Sequence, residues 1–577
     1  MDEQVETMKN ALRRTLPLLS LVLIGMAIDR LPAELLAQTP ENEKVQSTAE
    51  GMEVNSLYME GTFAFSLPVD ISKNTTYWAY DPRIVIDSSQ TLHVVWNGGV
   101  DYPLYYAYRH RGESWAPPIE LSTGSAVYPT LVIDSEDTLH LLWRGEVEIE
   151  DGVWVSRLMY SYKPSNRLWS DPVPLPPPPR FFDFDIFTIA ATVDSFDTLH
   201  VVWDLNYAVK RNIMLYTYKP KDGDWSEPME VLTGRFGQDI VPEEDGDIQP
   251  YNFIGPDLTI GPDDTLHLVW QGSPEWNVTN AQVRYAFKPL GEPWEIIGTI
   301  YERKEDGREL FSPTILCAPD GELIVIFEQY FDPETSQVRI MRKPPLGNWT
   351  EPLNITDMPS LSQNPRIEVD GQGNIHLLWS QYVANESYNM IYYRFYSRSK
   401  KRWSDPTVIP YGYGYMPWSV LDSSDRLHVV WEGGGPLIDF YGHHIYYSFA
   451  PTPKLVLLAN SIDYSLASDF LGFLRNEGLD VFYVTAPDFD QYKTEKFIVI
   501  LGGPDAYEGV DEIIQQVLNK SEQDWLRIKG NRKMYVKTNV WRQGQVVMVI
   551  AGSDRWQTQK AGEENKLDVK NRIWENL

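Results

Sequence analysis

The sequence predicts an all-β seven-bladed β-propeller plus a small C-terminal α/β domain, and three observations predict it. A short phrase recurs at blade-length intervals, the recurrences before the last carry four strand signatures, and one unpaired strand precedes the first of them. The phrase reads LHVVW at 92–96, LHLLW at 139–143, LHVVW at 199–203, LHLVW at 266–270, IHLLW at 375–379 and LHVVW at 427–431, with a degenerate LIVIF at 323–327. Its six histidines lie 47, 60, 67, 109 and 52 residues apart, and the degenerate copy divides the longest step.

Within each repeat, an apolar run led by a proline or small residue, such as PRIVIDSSQT at 82–91, forms a first strand and a tight acidic turn, and the phrase itself forms the second strand. A tyrosine-rich run follows, as in LYYAYR at 104–109 or IYYRFY at 391–396, and then a tryptophan with a proline close behind, as in WAPP at 115–118 and WSDP at 169–172. Proline suits an outer strand, where a missing backbone donor costs little. The last repeat stops at Pro451 without this fourth strand, while FSLPVDIS at 65–72 aligns with WTEPLNIT at 349–356. The early segment is therefore expected to complete the last blade and close the ring without an exposed edge.

The expected organisation is a signal peptide or anchor at 1–37, a linker at 38–60, the propeller at 61–453 and the α/β domain at 454–577. Arg13 and Arg14 precede an apolar stretch at 16–28, too short for a comfortable membrane span and suited to an export signal, so an extracellular or cell-surface location is expected. A net charge of −31 argues against nucleic acid as a partner. The single cysteine, Cys317, has no disulfide partner and reads as a small apolar residue. Sequons stand at Asn74, Asn277, Asn348, Asn354, Asn385 and Asn519.

Six histidines at equivalent positions around a ring cannot converge on one ion, so they are expected to be structural, bonding between neighbouring blades or to the acidic turn, and no metal site is assigned. Function is expected on the long loops of one face. Their aromatics and carboxylates suit a carbohydrate: Trp154, Tyr207, Trp276, Tyr330, Tyr382, Asp439 and Tyr441 form the expected ligand-binding set, with Glu148, Asp204 and Asp332 nearby. His443 and His444 lie in the last such loop.

The repeat resembles those of the sialidase-like propellers, although turns such as DSSDR at 422–426 and DGQGN at 370–374 depart from the Asp-box of that group. It is also similar to seven-bladed polysaccharide lyases such as the ulvan lyases, which use histidine and tyrosine for β-elimination. That resemblance would make Tyr441, His443 and His444 catalytic, with histidine as base, tyrosine as acid and a divalent cation neutralising a uronate.

Beyond residue 453 apolar strand runs alternate with amphipathic helices, the pattern of a mostly parallel sheet. IVILGGPDAYEGVDEIIQQ at 498–516 and VIAGSDRWQTQKAGEEN at 549–565 resemble bacterial cell-wall-binding repeats and archaeal S-layer-associated domains. That likeness implies a cell-envelope polymer as partner, with Asp554, Arg555 and Thr558 at matching positions; capping of the last helix is the alternative role. No cofactor is identified. The leading expectation is an exported propeller that binds a glycan or protein without catalysis. The alternatives are an exported carbohydrate-active enzyme and a structural envelope component.

Overall fold

Strand runs and tight turns assemble into seven antiparallel sheets, and the computed structural model describes residues 65–575 apart from 74, 76–77, 100, 123, 151, 177–184, 208–210, 233–251, 274–280, 303–309, 384–387, 435–442, 452–453 and 477–478. Blade 1 consists of Ala79–Ile86, Leu92–Gly98, Leu104–Arg109 and Ile119–Glu120. The meander repeats in blades 2 to 6, whose first strands are Ala126–Ile133, Asp185–Val193, Asn252–Ile260, Leu310–Cys317 and Ser362–Val369. Blade 7 takes Tyr415–Leu421, Leu427–Gly433 and His444–Ala450 from the last repeat and Val69–Asp70 from the segment before the first. The chain is thus a seven-bladed β-propeller, with the first strands side by side around a central channel.

Closure follows the alignment of 65–72 with 349–356. Val69 pairs with Tyr447 and Asp70 with Tyr446, and the amides of Ser66 and Ile71 donate to the carbonyls of Phe449 and Ile445, each at 2.9 Å. Phe65 occupies the place of the fourth-strand tryptophan. Trp169, Trp225, Trp294 and Trp349 each meet edge-on a tyrosine of the preceding blade, Tyr106, Tyr160, Tyr216 and Tyr285, at 5.1–5.4 Å, and Phe65 meets Tyr393 of blade 6 at 5.2 Å.

Those tyrosines also explain the histidines. His93 Nδ1 lies 2.7 Å from the Tyr106 hydroxyl and its Nε2 3.3 Å from Asp87 of the acidic turn. The pattern recurs in His140–Tyr160–Asp134, His200–Tyr216–Asp194 and His428–Tyr447–Asp422. The bond to the acidic turn is as expected, but the second partner belongs to the same blade rather than its neighbour, because the third strand carries the tyrosine to the face the histidine occupies. Blade 5 has lost all three members together: Ala318, Ile324 and Ile340 stand in the places of the aspartate, histidine and tyrosine, and the two isoleucines are buried.

Neighbouring blades are latched by the same turns. Asp137, Asp197 and Asp264 adopt φ of 58–61° and accept both the backbone N–H and the hydroxyl of Ser88, Ser135 and Ser195 in the preceding blade. The Ser423 N–H donates to Gln90 Oε1 at 2.8 Å and links blade 7 to blade 1.

Every first strand carries a bulge where its register to the second strand shifts. In six blades a residue with φ of 47–66° precedes a proline there, as in Asp81–Pro82 and Asn364–Pro365. Proline lacks the donor that the interrupted ladder would leave unpaired, and the bulge turns side chains toward the channel. Buried carboxylates just after the repeated phrase secure several bulges: Asp204 Oδ1 accepts the Thr188 N–H at 2.7 Å, and Glu328 accepts that of Asn364 at 3.3 Å. Burial pushes both carboxyls up to about 7.

The second domain is a five-stranded sheet in the order Asp480–Val484, Lys454–Ala459, Phe497–Leu501, Val546–Gly552, Arg532–Thr538, parallel except for the last edge strand. Alternate residues of Lys454–Ala459 face opposite layers: Leu455 and Leu457 pack with helices Ser468–Asn476 and Arg555–Glu575, Val456 and Leu458 with Val510–Val517 and Lys520–Leu526. Asp554 caps Arg555–Glu575 by accepting the Trp556 and Gln557 N–H groups at 3.0 Å, and Thr558 Oγ1 accepts that of Gly552 at 3.1 Å.

Three outcomes are expected. Phe65→Ala lowers stability by about 3–5 kcal/mol in urea unfolding, whereas exposed Leu67→Ala stays within about 0.5 kcal/mol. Ile324→His costs about 1–3 kcal/mol as an unpartnered buried polar group, and adding Ile340→Tyr and Ala318→Asp recovers part of it, read as coupling in a mutant cycle. Asp204 and Glu328 release protons at lower pH when unfolded, so the native state binds more protons and their contribution declines as pH rises from about 4 through about 7. Between about pH 5.5 and about pH 8 the melting temperature of Glu328→Gln should therefore rise relative to the wild type.

Candidate functional site at the closure seam

The channel is charged where blades 6, 7 and 1 meet. Position 83 and its equivalents read Arg83, Thr130, Ala190, Asp257, Thr314, Arg366 and Trp418 around the ring, set by their register to the second strands. The Trp418 ring lies between two guanidiniums, with Arg83 at 4.1 Å and Arg366 at 3.8 Å from its centroid. These groups keep some surface open to the channel, yet seven blades surround them. Burial lowers the Arg366 guanidinium to about 10 and pushes the Asp81 and Asp257 carboxyls up, against the pull of both arginines. Glu368, bonded to Ser419 at 3.1 Å, is pushed up by burial to about 8.

A second cluster stands at the blade 7–blade 1 seam. His443 Nδ1 lies 2.9 Å from Glu432 Oε1, and Glu432 also accepts the Asp81 backbone N–H. The Tyr80 ring centroid is 5.2 Å from that of His443 and 6.4 Å from that of Tyr102. The backbone reinforces this meeting: His443 bridges to Trp78, and its carbonyl accepts the Ala79 N–H at 2.8 Å. Burial first, then the Glu432 charge, pushes the Tyr80 phenol up, which keeps it protonated. Burial also raises Glu432, opposed by His443. The Trp78 side chain is 44% exposed beside them. The arrangement offers an imidazole oriented by a buried carboxylate, a protonated phenol and an aromatic face.

The two adjacent histidines part company because successive strand residues face opposite ways. His443 joins this cluster. His444 turns to the clasp, with its Nδ1 3.2 Å from Asp70 and 3.4 Å from Ser72 Oγ.

Trp154 is 59% exposed on the Leu139–Glu150/Val153–Lys163 hairpin, opposite Glu148. Tyr330 is buried, its ring edge-on to Phe311 and its hydroxyl accepting from Gln363 Nε2 at 2.6 Å. Tyr382 is half-buried, with its N–H bonded to the Leu361 carbonyl. Asp204 is a buried brace of its blade rather than a loop carboxylate, because it lies within the second strand, Leu199–Tyr207, beneath the bulge. Trp276, Asp439 and Tyr441 lie outside the described residues, as does the Tyr207 side chain. Sequence reasoning missed Trp78, Tyr80, Glu432 and Arg83. One signal was present: the residue after the repeated phrase varies as Asn97, Arg144, Asp204, Gln271, Glu328, Ser380 and Glu432 while the phrase is constant.

Cys317 is half-buried and its thiol is pushed up by burial to about 11. Among the described residues no group of three His, Cys, Asp or Glu side chains is placed to hold a metal ion, and no helix is long and apolar enough to cross a membrane.

No protein-family profile matches the sequence, and no curated protein matches it. Solved structures do superpose. An ulvan lyase of polysaccharide lyase family PL25, bound to -[GlcA(1-4)Rha3S]-, is 11% identical over 67% of this chain and 93% of its own, with a TM-score of 0.45. A Hadza microbial sialidase is 11% identical over 62% and 76%, with a TM-score of 0.37. A protein of unknown function from Dyadobacter fermentans is 12% identical over 66% of this chain and 97% of its own, with a TM-score of 0.42. At such identities the likeness is one of fold alone.

Proposed function

We propose that the propeller acts on an acidic polysaccharide by β-elimination at the blade 7–blade 1 seam. The observation that carries this reading is the Glu432–His443 pair with the Tyr80 ring beside it. His443 takes the proton α to a uronate carboxylate and the C–O bond to the leaving sugar breaks. The electron pair forms the ring double bond, and Tyr80 donates its phenolic proton to the departing oxygen. Glu432 orients the imidazole and stabilises its protonated form, Trp78 offers a stacking face, and Arg83 and Arg366 add positive potential in the channel. With 16–28 read as an export signal, the polymer would be met outside the cytoplasm. Binding without turnover is the second reading, favoured by the exposed Trp78 and Trp154.

The test is a panel of uronate-containing polysaccharides followed by the ultraviolet absorbance of the unsaturated sugar. His443→Ala and Tyr80→Phe should each lower kcat roughly 10²–10⁴-fold with the fold intact, and Trp78→Ala should chiefly raise KM. Turnover unchanged in His443→Ala contradicts the mechanism. Binding without any absorbance change, lost in Trp78→Ala, establishes the second reading in its place.

A further inference from the structure

The α/β domain carries a crevice apart from the propeller site, lined in part by the helix-capping Asn460 and Asp554 and by Arg555 and Thr558. It lies at the carboxyl ends of three parallel strands, where Lys454–Ala459 runs into Asn460, Phe497–Leu501 into Gly502 and Gly503, and Val546–Gly552 into Ser553. Ligands of open parallel sheets bind at this edge. Two strand ends approach closely there: a Cβ on Gly503 would stand 2.6 Å from the Gly552 carbonyl oxygen. The cavity measures about 220 Å³, below the roughly 300–1,000 Å³ of drug-sized sites and suited to one small polar molecule.

Its wall contains an unmet polar demand. Asp463 is 7% exposed; one carboxylate oxygen is held by Asn460 Nδ2 at 2.6 Å, and the other has no hydrogen-bond partner among the described residues. Such a group in a folded protein calls for a ligand or water donor. At the rim, Asp505 holds the Arg527 guanidinium in a fork at 3.0–3.1 Å, with the Tyr507 ring exposed beside it and Arg555 across the crevice.

The charges select the ligand class. A phosphate would face Asp463, Asp505 and Asp554, and the first free amides of helix Arg555–Glu575 are already taken by Asp554. A bare cation would face Arg527 and Arg555. Carboxylates and guanidiniums side by side under a tyrosine face instead match a neutral molecule rich in hydroxyls, which donates to the former and accepts from the latter. We infer that this crevice binds a single neutral glycosyl unit, making the C-terminal domain a second carbohydrate-binding site independent of the seam.

The test uses the full chain and saturation-transfer NMR with methyl glycosides of glucose, galactose, mannose and N-acetylglucosamine, with inorganic phosphate and Mg²⁺ titrated separately. At least one glycoside should bind. Its affinity should fall about tenfold or more in Asp505→Ala and Tyr507→Ala, as loss of a charged hydrogen-bonding or stacking partner implies. Both sites are exposed, so melting temperatures should stay unchanged, and Trp78→Ala and His443→Ala should retain the binding whether or not the seam is catalytic. No binding by any glycoside overturns the inference, as does binding that survives both rim substitutions. Displacement of the glycoside by phosphate would overturn the assignment to a neutral ligand.

Discussion

A ring of sheets exposes a row of unpaired backbone groups unless its last blade is completed, and here a segment of eight residues, 65–72, completes it. The rest of the molecule depends on that clasp. Phe65 fills the tryptophan niche against blade 6, while Ser66, Val69, Asp70 and Ile71 pair along the outer edge of His444–Ala450. Beyond residue 72 the chain meets the start of the same strand again at Trp78. His443 and His444 are therefore both held by one stretch of chain, the first by Trp78 and Ala79 and the second by Asp70 and Ser72. The first faces the candidate site and the second the clasp, so the covalent gap in the ring and the candidate site coincide.

The repeated histidines work on a different scale. In blades 1, 2, 3 and 7 each spans from an acidic turn to a third-strand tyrosine, whose ring also receives the tryptophan of the following blade. One tyrosine thus couples the interior of its blade to the next seam. Burial favours neutral imidazole in His200 and His428 against the pull of their aspartates, and the histidine bond helps hold Asp422 down to about 2. Histidine and tyrosine go together: in blade 5 both give way to isoleucine and the aspartate to alanine, with the turn kept by the Ala318 N–H bond to the Glu322 carbonyl, whereas blade 4 has Gly261 in the aspartate's place and keeps the His267–Tyr285 bond at 2.8 Å. An apolar substitute of similar volume serves if no partner is left unpaired.

Much of the fold was legible in the sequence because blade architecture is local and periodic. Strand alternation, turn chemistry and the tryptophan-proline strand announce each blade, and the match of 65–72 to 349–356 located the closure in register. The structural nature of the six histidines followed from symmetry alone. The bulges were not legible, because a left-handed residue before proline has no fixed identity: Asp81, Tyr128, Gly255, Ser312, Asn364 and Met416 all serve. For the same reason Tyr80 and Trp78 looked like ordinary residues of a first strand and its approach. Their meeting with His443 spans most of the ring in sequence and arises only on closure. His443 stood among the sequence candidates because it sits in a loop outside the repeat, whereas Tyr330 and Asp204 are buried within their second strands.

Hydrogen exchange on the full chain tests most directly whether the clasp holds the seam. In Phe65→Ala the amides of Ser66 and Ile71 should lose protection, and those of Ala79 and Gly99, bonded to the His443 and Trp78 carbonyls, should lose it to the same extent, while the interior amides of blades 2 to 4 keep theirs. Loss confined to Ser66 and Ile71, with Ala79 and Gly99 still protected, would contradict a seam that depends on its closing strand.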